Sequence, residues 1–153
     1  MFSALSKKLA GLVAAGLIVA SSSSCSSDPE PEEAPPAKFK ADVLPILRTS
    51  CALTACHGSA SSNLGIHLPE DAALVYKELQ KVSPTANGVK FVVPGDPENS
   101  YFMLKIDGTQ GKVGAKCANG TCGDQMPPRP DPLLSARRRD VVRRWIAAGA
   151  KDD

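Results

Sequence analysis

The chain has 153 residues, a formal charge of +2, five cysteines, and only 5% aromatic residues. Set against an export segment and a tether, that length suits one small domain. A domain this size buries a modest core, so the cysteine content points to a cofactor or cross-link that supplements it.

Lys7 and Lys8 precede an uncharged apolar run, Leu9–Ala20, of twelve residues. These are the dimensions of a signal peptide, and the run is too short to span a bilayer comfortably. The export segment is assigned to residues 1–24. Ser21-Ser22-Ser23-Ser24-Cys25 follows and resembles the cleavage site of bacterial lipoproteins, with Ser22 where that family usually has leucine. The resemblance implies lipidation of Cys25 as the new N-terminus; ordinary cleavage near Ala20 to Ser22, leaving Cys25 a thiol in a tail, is the alternative. Ser26 after the cysteine implies, by the same resemblance, a lipid anchor in the outer membrane, facing the periplasm. Residues 25–38 are rich in Ser, Pro and Glu with almost no apolar side chains, which predicts a disordered tether that sets reach. From Ala37 to Asp153 the chain carries sixteen basic and twelve acidic residues, a mildly basic +4.

In the folded part, residues 39–150, Val43, Leu44 and Leu47 predict a first helix over Phe39–Arg48, with Pro45 perturbing its early turns. Ala72, Ala73, Val75, Tyr76 and Leu79 predict a second over Pro69–Val82, starting on Pro69 and ended by Ser83-Pro84. Lys90–Val93 is a short β-prone run. Pro94-Gly95-Asp96-Pro97 is turn chemistry leading to a third helix, Pro97–Ile106, on which Tyr101, Leu104 and Lys105 lie near one another. Gly108–Pro132 is too long and polar for a plain connector and predicts a binding loop or a cross-linked one. Within it, Asn119-Gly120 is a turn pair able to bring Cys117 and Cys122 within disulfide range. A metal site built from Cys51, Cys56, Cys117 and Cys122 is the rival reading. Ser135 caps a last helix running to about Ala148, where Val141, Val142, Trp145 and Ile146 form a stripe and Gly149 the stop. The fold class is mainly α, a small helical domain with long irregular loops.

Cys51-Ala-Leu-Thr-Ala-Cys56-His57 has the elements of c-type haem attachment: two thiols to add across porphyrin vinyl groups and an imidazole at once to bind iron. Four residues separate the cysteines instead of the usual two, so the backbone must bulge to carry Cys51 to its vinyl group. The alternative is a Cys51–Cys56 disulfide in an oxidising compartment, with His57 incidental.

Further pieces follow in order: Val43-Leu44-Pro45-Ile46-Leu47, Cys56-His57-Gly58, Val93-Pro94-Gly95-Asp96-Pro97-Glu98-Asn99-Ser100, Met126-Pro127-Pro128, Leu134-Ser135, and Arg144-Trp145-Ile146-Ala147-Ala148-Gly149-Ala150. Together they resemble small bacterial c-type cytochrome domains, similar to class I cytochrome c, over roughly Val43 to Ala150. The resemblance implies a cytochrome c-like fold enclosing one covalent haem c, with His57 as proximal and Met126 as distal iron ligand. Pro127 and Pro128 would stiffen the loop that presents Met126. Met103 and His67 are the rival sixth ligands. Two filled axial positions imply electron transfer and not catalysis, and no acid, base or nucleophile constellation suggests an enzyme. A haem-free, disulfide-stabilised binding or structural module on the same scaffold is the alternative function.

Leu64, Ile66, Phe91, Val92 and Leu104 are candidate apolar walls around the porphyrin. Trp145 and Ile146 are assigned to packing on the first helix. Arg137, Arg138, Arg139, Arg143 and Arg144 make the last helix cationic, either a solvated face or a docking surface for an acidic periplasmic or membrane redox protein. Export makes nucleic acid an implausible partner.

Overall fold

The computed structural model describes residues 34–61 and 63–153, so the export segment, the lipidation at Cys25 and the tether up to residue 33 lie outside the described residues. The folded unit runs from Ala34 to Asp153. Ala37 is buried in it, and the Pro35 carbonyl accepts from Arg144.

Pro45 cannot donate a backbone hydrogen bond, and the turn ahead of it is wide. A π turn, Phe39–Val43, precedes α1, Leu44–Ser50. The Val43 N–H reaches back five residues to the Lys38 carbonyl at 3.2 Å. The helix expected from Phe39 to Arg48 is therefore two pieces, and both bury their apolar side chains.

The second helix, α2, spans Ala72–Leu79, not Pro69–Val82. Its start is set by Asp71, whose carboxylate accepts from the N–H groups of Ala73 (2.8 Å) and Leu74 (3.0 Å). It stops early because Val82 pairs with Lys90 in an isolated bridge. In the β-prone run Lys90–Val93 the Phe91 N–H reaches the Lys81 carbonyl at 2.9 Å, and the Lys90 and Phe91 carbonyls accept from Tyr101 and Phe102, but no strand forms among the described residues.

Ser100 breaks the third predicted helix. Its hydroxyl donates to the Asp96 carbonyl at 2.8 Å and accepts from the Val93 N–H at 2.9 Å, leaving a 3-10 turn, Pro97–Asn99, and a short α3, Tyr101–Ile106. The last helix, α4, spans Ala136–Ala147 with Ser135 as its cap, as its sequence predicts.

The core joins all of these elements. Phe39, Val43, Leu47, Val75, Val142 and Trp145 are almost wholly buried in one cluster. The Phe39 ring centroid lies 5.4 Å from those of both Tyr76 and Trp145, which fastens α4 and α2 to the π turn. A second cluster, Ala86, Val89, Tyr101 and Leu104, lies under the chain between α2 and α3. The domain is mainly helical. No helix among the described residues is long and apolar enough to cross a membrane.

Candidate functional site

Past α1 the chain folds tightly on itself. The His57 N–H donates to the Cys51 carbonyl (3.0 Å), and the Leu53 carbonyl accepts from both Cys56 (2.8 Å) and Gly58 (2.9 Å). These bonds close a tight turn between the two cysteines. It closes only because residue 58 is glycine: a Cβ there would lie 2.6 Å from the Ala52 carbonyl oxygen and 2.9 Å from that of Leu53.

Cys51 and Cys56 stand as thiols. Burial, with the neighbouring Cys56 as the smaller cause, pushes the Cys51 thiol up to about 12, so it is protonated at neutral pH.

His57 is oriented by the segment that follows. Asn63 and Leu64 take left-handed conformations, φ 42° and 63°, and reverse the chain so that the Ile66 carbonyl comes to 3.1 Å from His57 Nδ1. A carbonyl can only accept, so Nδ1 carries a proton, and in the neutral ring the lone pair is on Nε2. That is the tautomer a metal-binding imidazole needs, fixed as such ligands commonly are. Asn63 also donates to the Cys56 carbonyl, and the Leu68 N–H to that of His57 at 2.8 Å.

The facing wall comes from the long loop after α3. Cys117 and Cys122 are disulfide-bonded with Cα atoms 4.6 Å apart, as the Asn119-Gly120 turn predicts. The bond withdraws both sulfurs from the rival four-cysteine metal site. Met126 follows, with its N–H on the Lys105 carbonyl at 2.9 Å. Lys105 is buried although it is a lysine; burial lowers its pKa, against the opposing pull of Asp124.

Cys51, Cys56, His57 and Met126 line one cavity of about 890 Å³. It opens between the end of α1, the end of α2, α3, the 123–134 segment and the start of α4. Leu47, Leu68, Leu79, Phe91, Phe102 and Leu134 give it apolar walls. Of the expected wall residues, Leu64, Ile66 and Phe91 line it, whereas Val92 and Leu104 pack in the two core clusters. Neither rival sixth ligand lines it: Met103 is 1% exposed in the core, and His67 lies outside the lining.

The residues present fit a haem. The volume falls in the upper part of the range of roughly 300–1,000 Å³ usual for ligand pockets, and the walls are apolar with a few polar groups. Two thiols adjoin an imidazole of the right tautomer, and a thioether lines the same space.

The arginines of α4 are not one open cationic face. Arg139 and Arg143 both bind the Asp107 carboxylate, at 2.8 and 2.6 Å, Arg143 also binds Glu98, and Arg144 binds Asp140 at 2.9 Å. Arg138 donates to the Ser50 hydroxyl at 3.0 Å on the cavity rim, and Arg137 is exposed. Sequence reading placed Lys105 near Tyr101 and Leu104 on the third helix but gave it no part in the site. It also missed the part of Gly58, which only the backbone contacts reveal. The chain matches no family model, no curated protein and no solved structure, so the case for the site rests on its own residues.

Proposed function

We propose that this chain is an electron carrier of the cell envelope that holds one haem c by thioethers to Cys51 and Cys56, with His57 and Met126 as the residues that would bind its iron. The observation that carries the reading is that these four side chains line a single apolar cavity, while Met103 and His67 do not. When bound, the haem supplies one-electron chemistry at its iron.

The chain's own residues do the rest. The Ile66 carbonyl holds the His57 ring by its Nδ1–H, leaving Nε2 for iron. Met126 would offer a thioether, a ligand that favours the reduced metal. The apolar side chains of the lining would lower the polarity around the haem and so disfavour the extra charge of the oxidised state. Export on the 1–24 segment and a lipid at Cys25 hold the domain at the membrane on the periplasmic side. Arg137 and Arg138, without carboxylate partners among the described residues and with Arg138 at the cavity rim, are the charges on α4 that would steer an acidic redox protein.

The test is Met126→Ala in protein made with a cytochrome c maturation system. The reading predicts covalent haem retained, the weak sulfur-to-iron band at the red end of the oxidised spectrum lost, and the midpoint potential lowered. An unchanged band and potential overturn Met126 as the ligand.

A further inference from the structure

Lys105 lies on α3 and is 8% exposed. Burying an ammonium is costly, and a methionine or leucine would fill much of the same space without that cost. Among the described residues no carboxylate lies within ion-pair distance of its Nζ, and the Asp124 charge acts on it only as the smaller influence beside burial. Nζ donates instead to two backbone carbonyls, those of Cys122 at 2.7 Å and Asp124 at 2.6 Å. Gly123, at φ +65°, turns the chain between them, and a Cβ there would stand 3.1 Å from Nζ. The main chain of Lys105 holds a third point, the Met126 N–H at 2.9 Å.

One residue therefore fixes positions 122, 124 and 126 together. The other supports stop short of the sulfur-bearing residue. The disulfide ends at Cys122, and the Tyr101 hydroxyl donates to the Cys122 carbonyl at 2.7 Å. The Asp124 side chain is held by exposed Arg129, an ion pair of little weight. Beyond Cys122, the Gln110 amide donates to the Gly123 carbonyl at 3.1 Å, an exposed neutral bond weaker than the charge-assisted bonds that Lys105 makes on either side of it.

We propose that Lys105 is the positioning residue for Met126, holding the segment 122–126 so that the thioether stays at its place in the cavity. As a statement about an iron ligand this rests on the haem reading above. The three-point hold on the segment is a property of the chain itself.

The experiment compares wild type with Lys105→Met, which keeps the stem and removes the donors, and with Lys105→Gln, which keeps N–H donors on a shorter neutral stem. Two readouts are taken on folded protein: amide hydrogen exchange over residues 122–126, and the affinity of the oxidised haem protein for added imidazole, which competes with a loosely held sulfur. Lys105→Met is expected to speed exchange and tighten imidazole binding, each about tenfold or more, with covalent haem retained and Lys105→Gln intermediate. Wild-type exchange, or faster exchange with unchanged imidazole affinity, in a folded Lys105→Met protein overturns the proposal. If Lys105→Met does not fold, Lys105→Gln decides by the same two measures. Wild-type protein that takes up no haem overturns the haem reading and with it the ligand role of Met126, while exchange in the haem-free protein still decides whether Lys105 holds the segment.

Discussion

Gly58→Ala places a methyl group inside the turn that joins the two thiols. Its Cβ would start 2.6 Å from the Ala52 carbonyl oxygen and 2.9 Å from both carbonyl atoms of Leu53, whereas ordinary contact begins at 3.4 Å. The obstacles are backbone atoms, so no side chain can swing aside. Relief requires the 52–53 segment to move by most of an ångström, away from the Cys56 and Gly58 N–H groups that the Leu53 carbonyl now accepts at 2.8 and 2.9 Å. Losing those two bonds costs about 1 kcal/mol each, and residual overpacking about 1 kcal/mol more, for a total of about 3 kcal/mol. Denaturant unfolding of the haem-free protein, followed by the fluorescence of the single tryptophan, Trp145, reads the loss. Mass spectrometry of protein matured with haem reads the consequence: the attachment at Cys51, on the far side of the turn, falls while that at Cys56 persists. A loss of stability under about 0.5 kcal/mol with both attachments intact would refute this account of the turn.

In the haem-free protein, native Cys51 keeps its proton to about 12 against 9.0 for an ordinary thiol. The stability this contributes is whole below pH 9 and is lost as pH rises toward 12, and the raised pKa of buried Tyr101 acts in the same direction. Cys51→Ala should flatten the decline of stability between those values in alkaline denaturation curves; an unaltered slope contradicts the raised pKa of the half-buried Cys51 thiol. Leu64 sits at φ 63° while 70% exposed, so it bears left-handed strain and gains little from burial. Leu64→Asn should raise the stability of the haem-free protein by about 0.5–1 kcal/mol in the same assay, since asparagine tolerates that conformation; a loss would show that the leucine packs usefully without haem.

What the sequence made legible was what neighbouring residues decide. Ser135, the 141–146 stripe and Gly149 delimit α4 by local chemistry, and Asn119-Gly120 foretells the disulfide for the same reason. Boundaries moved where a side chain found a closer competitor: Asp71 takes the amides of α2 that Pro69 was expected to introduce, and Ser100 exchanges helix for bonds to residues 93 and 96. What stayed hidden depends on partners far along the chain. Asp107 and Glu98 neutralise arginines more than thirty residues away. Val92 and Leu104, apolar like the cavity walls, turn inward to the core because of which neighbours surround them, and nothing in their own positions says so. At the site, the haem motif and Met126 were visible as residue types, whereas the Ile66 carbonyl that sets the tautomer of His57 is a backbone group with no signature in sequence.

The central claim is that Cys51 and Cys56 carry one haem. Mature protein expressed with a cytochrome c maturation system should show, after acid-acetone extraction, a pyridine haemochrome spectrum equivalent to one haem per chain, and a haem-bearing peptide containing both Cys51 and Cys56. Protein that is free of haem after the same treatment, with Cys51 and Cys56 joined to each other, would contradict it.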